Sequence, residues 1–155
     1  MQTEIRPIRR EDVVSVYEIE KTSFAEPWSI GIFRLYAAWR GVVPLDEERT
    51  TYANVAVHQG VVLGYIVWET DRGHRTGRIL NIAVREGYRR RGIGRTLIQH
   101  AFEAMRRAGL VQVELEARES NTAARGLYSH LGMIEVGRLA RYYHNEDAVV
   151  YRIEL

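Results

Sequence analysis

The sequence predicts a mixed α+β domain in which helices flank a single mixed sheet. Three observations carry that expectation. Ile93, Leu97, Ile98, Ala101, Phe102 and Met105 recur at spacings of three and four, which lines up one apolar helix stripe. Val111, Val113, Leu115 and Ala117 alternate with Gln112, Glu114 and Glu116, the period of a half-buried strand. Two further apolar runs, Tyr52–His58 and Val61–Thr70, are separated by Gln59-Gly60, a hairpin signal. At 155 residues and 46% hydrophobic, the chain is the length of one domain and can bury a substantial core.

The remaining elements follow in order. Ile5–Ile8 reads as a short first strand. Asp12 is placed to cap a helix carrying Val13, Val16, Tyr17 and Glu20, which ends before Glu26-Pro27. Ser29 caps a second helix through Ile32, Phe33, Tyr36 and Trp39, stopped by Gly41 and Pro44. Asp46–Thr51 is a polar loop, and the hairpin of the two apolar runs follows it. A glycine-containing turn, Asp71–Thr76, leads into a strand at Arg78–Val84. The long striped helix ends at Gly109, the alternating strand comes next, and Asn121–His130 forms a short helix stopped by Gly132. Ile134–Tyr142 and Ala148–Ile153 are the last strands, with Asn145-Glu146-Asp147 at their turn.

Composition removes several classes of function. No apolar run approaches the roughly eighteen residues of a membrane helix; the longest, near Val61–Trp68, has strand length. The opening Met1-Gln2-Thr3-Glu4-Ile5-Arg6 lacks an apolar signal-peptide core, so a cytoplasmic protein is expected. With no cysteine, the chain has no disulfide, no thiolate metal site and no cysteine nucleophile. His58, His74, His100, His130 and His144 show no metal-ligand spacing, and no metal is expected. Net charge is only +2, with Lys21 the sole lysine. A nucleic-acid binder carries a larger excess or a long basic stripe, so no direct nucleic-acid partner is expected.

Asn81–Leu97 is the most informative segment: an apolar strand, a turn, the cluster Arg89-Arg90-Arg91, then Gly92 and Gly94 opening the striped helix. Unpaired N–H groups at a helix start lie at the positive end of its dipole and attract anions. Glycines without a Cβ let a pyrophosphate approach the main chain. A Walker A loop needs a lysine that is missing here, and a dinucleotide fingerprint needs glycine where Leu97 stands. What remains is Arg-x-x-Gly-x-Gly from Arg89. Taken alone, it also fits an ordinary strand-to-helix turn with arginines in solvent.

The segment Asn81–Leu97 resembles the acetyl-CoA-binding segment of the GNAT acetyltransferases. Leu115-Glu116-Ala117-Arg118-Glu119-Ser120-Asn121, with Leu127-Tyr128 and Leu131-Gly132, resembles the distal half of the N-terminal protein acetyltransferases. Phe24-Ala25-Glu26-Pro27-Trp28-Ser29 and Tyr142-Tyr143-His144-Asn145-Glu146-Asp147-Ala148 resemble the same group, above all its RimI-type ribosomal-protein-alanine acetyltransferases and their archaeal relatives. The resemblance spans nearly the whole chain. It implies the GNAT acyl-CoA N-acyltransferase fold, with a mostly antiparallel sheet of about seven strands and about four helices.

It also implies acetyl-CoA as cosubstrate and a protein N-terminus as acceptor, on a ribosomal protein or a broader set beginning with Ser, Ala, Thr or Met. A monomer or weak dimer is expected. Main-chain groups of Ile82, Ala83 and Val84 would pair with the pantetheine arm. Arg90, Arg91, Gly92, Ile93, Gly94 and Arg95 would hold the pyrophosphate, and Asn121 would touch the cofactor. Glu116 would take the proton of the amine and Tyr128 would protonate the departing thiolate. Glu26, Trp28, Tyr142 and Tyr143 would serve the acceptor.

Several of these residues have plainer readings. Glu116 also fits a solvent-facing strand residue beside Glu114, and Tyr128 a core tyrosine on an apolar helix face. Glu26 fits a carboxylate at a helix end, and Tyr142 and Tyr143 fit sheet packing. Arg78 stands where some archaeal relatives carry a histidine, so chemistry borrowed from that histidine does not transfer. Two other functions remain open: transfer to a lysine or small-molecule amine, and a non-enzymatic module that binds a ligand or RNA.

Overall fold

The computed structural model describes residues 2–155; Met1, the first residue of the opening segment, lies outside them. Its elements are β1 (Glu4–Pro7), a single 3-10 turn (Arg10–Asp12), α1 (Val13–Ser23), α2 (Ile30–Ala38), β2 (Val42–Pro44), β3 (Arg49–His58) and β4 (Val61–Asp71). Then come β5 (Thr76–Val84), α3 (Ile93–Arg107), β6 (Gln112–Arg118), α4 (Thr122–His130), β7 (Ile134–Tyr143) and β8 (Glu146–Glu154). All eight strands join one sheet in the order β1-β3-β4-β5-β6-β8-β7, with β2 lying beside β3. Every pairing is antiparallel except β5 with β6. The expected mixed, mostly antiparallel architecture is the one observed.

Each face of the sheet carries its own core. The α3 stripe buries all six of its apolar positions against Leu63, Ile66, Leu115 and Tyr151, joined by Tyr128 of α4. At about 1.5–3 kcal/mol per buried large side chain, that stripe alone holds α3 to the sheet. On the opposite face Val13, Val16 and Ile19 of α1 and Phe33 of α2 pack on Val55, Tyr65 and Val67. Gly77 shows how close the α3 side comes: a Cβ there would lie 2.5 Å from the Met105 sulfur.

Four local expectations are corrected. Asp12 does not cap α1 with its side chain; it accepts from the Arg9 N–H at 2.8 Å and from Arg6 at 2.6 and 3.0 Å. Bidentate guanidinium binding outcompetes a helix-end N–H for that carboxylate. Ser29 precedes α2 but its hydroxyl makes no capping bond. Strand β2 was unforeseen, and β3 begins at Arg49, inside the segment expected to be polar loop. Strand β8 starts at Glu146, opposite Tyr143, so the turn is His144-Asn145 rather than Asn145–Asp147.

The feature that positions a site is a gap. Strands β5 and β6 pair only over Thr76–Arg78 with Gln112–Glu114. Beyond that point β5 stays with β4 as far as Val84, and β6 stays with β8 as far as Arg118. The two strands therefore part, leaving a cleft through the sheet whose β5 wall has main-chain groups with no strand partner. Among the described residues, no helix is long and apolar enough to cross a membrane. Among the same residues, no His, Asp and Glu cluster is suited to a metal ion.

Candidate active site

Ile82, Ala83 and Val84 lie on the β5 wall, past its last β6 pair and opposite Ile66, Tyr65 and Gly64 of β4. Unpaired peptide groups on such an edge can accept an extended amide chain as an added strand. Where β5 ends, Arg89 ties the loop down: Nε donates to the Val84 carbonyl at 2.9 Å and Nη2 to the Ser23 hydroxyl at 3.1 Å. The loop then turns through left-handed residues, Gly87 (φ 88°), Arg90 (φ 62°) and Gly92 (φ 83°).

Gly92 is the N-cap of α3 and needs glycine for its backbone angle; a Cβ there would meet no neighbour within 4 Å. The open space above it is where an anion can reach the helix start. Gly94 differs: a Cβ would make only ordinary contact with Leu127 at 3.5 Å and Val84 at 3.7 Å. The first turn of α3 has no acidic residue, and Arg90, Arg91 and Arg95 are exposed around it. Arg91 lies over the Tyr88 ring at 5.3 Å, while Ile93 turns inward and is buried. An exposed basic rim, free helix N–H groups and a bare strand edge suit an elongated ligand with a phosphorylated end. Acetyl-CoA has that form, and these residues fit it.

Asn121 is the N-cap of α4, its Oδ1 accepting from the Ala124 N–H at 3.2 Å, which leaves its amide nitrogen for a ligand. The preceding turn is anchored by Glu146, which accepts from the Ser120 N–H and hydroxyl at 3.0 Å each and from Arg118 at 3.1 Å. These bonds hold the Glu146 carboxyl below its ordinary range.

Glu116 lies on the β6 wall. Its neighbours Leu115 and Ala117 face α3 and α4, so its own side chain points to the other face. It accepts a hydrogen bond from Arg78 of β5 across the mouth of the cleft. Its side chain is 10% exposed, and burial pushes its carboxyl above the ordinary value while the Arg78 charge pulls it back only in part. Tyr128 comes from the α3/α4 side, buried, with its ring edge-on to Tyr151 at 5.8 Å. Burial, then the Tyr143 and Tyr151 phenols, raises its hydroxyl well above the usual phenol value.

Tyr143, at the end of β7, is perpendicular to Tyr142 with centroids 5.1 Å apart and lies under the Arg118 guanidinium at 4.4 Å. It is pushed up to about 12, first by burial, then by Tyr142 and by the charge of Glu116. Tyr142 is half exposed. The Glu116 charge thus acts on the Tyr143 phenol, and Tyr143 in turn on Tyr128.

Trp28 is held more firmly than a mobile contact residue: its ring stacks on Phe33 at 5.9 Å and its main-chain N–H donates to Glu20 at 2.8 Å. Glu26, two residues earlier, is exposed. Glu20 itself was missed as a site-forming residue. It is 1% exposed and accepts from the Tyr65 hydroxyl and from Asn81 Nδ2 at 2.6 Å, fastening the α1–α2 connection to β4 and β5. The signal was present: an acid occupies the last position of the α1 apolar stripe. The Arg78–Glu116 pair was likewise missed, although both residues had been singled out separately.

The chain is similar to known acetyltransferases. The model of the "Acetyltransferase (GNAT) family" matches residues 13–133. The ribosomal protein bS18-alanine N-acetyltransferase of Escherichia coli K12 is 30% identical over 156 residues, covering 97% of each chain. An N-alpha-acetyltransferase of Sulfurisphaera tokodaii is 34% identical, covering 93% of this chain and 88% of its own. The crystal structure of the Escherichia coli ribosomal-protein-S18-alanine N-acetyltransferase superposes with a TM-score of 0.81 at 26% identity, covering 99% of this chain and 94% of its own.

Proposed function

Because the chain belongs to the GNAT acetyltransferase family, whose cosubstrate is acetyl-CoA, we propose that it acetylates the N-terminal α-amine of a protein. What supports this reading is that Glu116 points to one face of β6 while Tyr128 packs with Leu115 and Ala117 on the other. A donor entering from the α3/α4 side and an acceptor entering from the other side meet between a base and an acid.

When bound, acetyl-CoA supplies a thioester whose carbonyl carbon takes the new bond to nitrogen and whose carbon–sulfur bond breaks. The β5 edge at Ile82–Val84 holds the pantetheine arm, and the Arg90–Arg95 segment with its free N–H groups holds the diphosphate. Asn121 steadies the arm through its free amide nitrogen. Glu116 takes the proton that the amine sheds, and burial keeps the carboxylate basic enough to do so. Tyr128 gives its proton to the sulfur as it leaves; its raised hydroxyl is fully protonated at neutral pH. A main-chain N–H near Val84 is the donor for the carbonyl oxygen. No step needs an enzyme-bound acyl group, in keeping with a chain that has no cysteine.

An α-amine suits this base. Its pKa near 8 makes deprotonation about 3 kcal/mol easier than for a lysine near 10.4. Glu26, Trp28, Tyr142 and Tyr143 border the acceptor entrance in this reading, the two tyrosines as walls and Trp28 as a fixed support. Because the Escherichia coli relative is named for the alanine of a ribosomal protein, an Ala-initiated protein is the first acceptor to test.

Peptides beginning with Ala, Ser, Thr, Met or Gly, each with one internal lysine, should be incubated with acetyl-CoA and the product sequenced by mass spectrometry. Acetyl on the α-nitrogen is expected, with a clear order among first residues. Acetyl on the lysine alone, undiminished by blocking the N-terminus, would replace this reading with transfer to side-chain amines.

A further inference from the structure

Glu116 has a charged partner already in place. Arg78 is the last β5 residue to pair with β6, opposite Glu114, and its guanidinium reaches along β6 to the Glu116 carboxylate. The two partners are unequally held: the carboxylate side chain is 10% exposed and the arginine side chain 41%. The arginine is the member free to move. It also lines a cavity of about 250 Å³ whose wall includes Glu69, Asp71 and Glu114. Glu69 carries Arg49 at 3.6 Å and Glu114 carries Arg152 at 2.6 Å, and each carboxylate retains lone pairs for a second guanidinium. A place to which Arg78 can withdraw is therefore built beside its present one.

We propose that Arg78 is a positioning residue that holds Glu116 at the cleft in the free enzyme and is displaced into this cavity by the incoming ammonium of the substrate. One cation replaces another, so the largely buried carboxylate is never left without a counter-charge. The guanidinium remains paired in either position. Exchange also favours acceptors that arrive charged, since a neutral group offers Glu116 nothing in return for its arginine. This inference rests on the proposed role of Glu116 and deepens it. The other groups facing Glu116 are Glu114 on its own strand and Tyr143 from β7.

The test compares pH profiles of wild type, R78Q and R78K with an Ala-initiated peptide. The acid limb of kcat/KM reports the free enzyme and that of kcat the substrate complex. Arg78 opposes the upward pull of burial on Glu116, so its loss moves the free-enzyme limb to higher pH, by about one unit or more. The kcat limb, set after Arg78 has withdrawn, stays near that of wild type. R78K keeps the charge and is expected to restore the kcat/KM limb.

An unmoved kcat/KM limb in R78Q, or limbs of kcat and kcat/KM displaced equally, would overturn the inference. So would an R78K profile displaced as far as that of R78Q, because charge would then be irrelevant. E116Q in the same assay separates the two levels: full turnover there removes Glu116 from the chemistry altogether. An inactive E116Q with an unmoved R78Q removes only the exchange.

Discussion

Glu116 is a carboxylate on which neighbouring forces disagree, and its behaviour should show it. Burial raises it, Arg78 lowers it, and burial wins. In the proposed role its working form is deprotonated, so activity rises with pH through a value above that of an ordinary glutamate. In an assay of rate against pH, the acid limb should therefore lie higher than for an exposed glutamate. E116Q should lose turnover by about 10²-fold or more while still binding CoA, the expected loss for a general base. Glu20 makes a different prediction. Its replacement by alanine leaves the Tyr65 hydroxyl proton and the Trp28 main-chain N–H without their acceptor, while Asn81 keeps its bond to the Tyr65 hydroxyl at 3.1 Å. At about 1–3 kcal/mol per unsatisfied buried group, E20A should lower unfolding stability by about 3 kcal/mol or more in a urea titration. A change below about 0.5 kcal/mol would show that these hydrogen bonds contribute little to stability. Neither residue's partners were legible in the sequence. Glu20 and Asn81 are 61 positions apart, and Arg78 and Glu116 are 38 apart. Arg78 meets Glu116 through the register of β5 with β6, and Glu20 meets Asn81 because α1 packs on β5.

At the scale of elements, the strand-to-helix connection between β5 and α3 is where the sequence spoke most clearly. Its glycines and arginines are local signals, and local geometry answers them. The two glycines, however, differ in kind. Gly92 is fixed by a left-handed backbone with open space beside it, whereas Gly94 has an ordinary neighbourhood. G92V should weaken CoA binding in calorimetry at least tenfold, through strain and through a side chain standing where the diphosphate would lie, whereas G94A should change it by less than about threefold. Equal effects of the two changes would place the diphosphate elsewhere. Other elements were less legible. β2 has only Val42, Val43 and Pro44, too few residues for any period to be read, and it forms because β3 offers it an edge. Asp12 followed the local rule for a helix cap, but Arg6 reached it first. The strands with strict alternation and the long striped helix were legible because each buries one continuous face.

Across the whole molecule, the sheet matters for where it stops pairing. Seven strands read from apolar patterns and an eighth supplied by the structure would make an unremarkable layer if β5 and β6 stayed together. They part after Arg78 and Glu114, leaving Ile82–Val84 on the β5 wall and Glu116 on the β6 wall. No periodicity in the sequence records such an event, because each strand is locally regular on both sides of it. In the proposed reading the parting also divides the labour: α3 and α4 frame the approach of the donor, the α1–α2 connection and the β7–β8 hairpin that of the acceptor, with the chemistry between them. A crystal structure with CoA and an Ala-initiated peptide tests that division most directly. The diphosphate should rest on the N–H groups at the start of α3, with the sulfur near Tyr128 and the peptide nitrogen near Glu116 on the far side of the gap. Both ligands entering from one face, or a diphosphate away from Gly92, would contradict it.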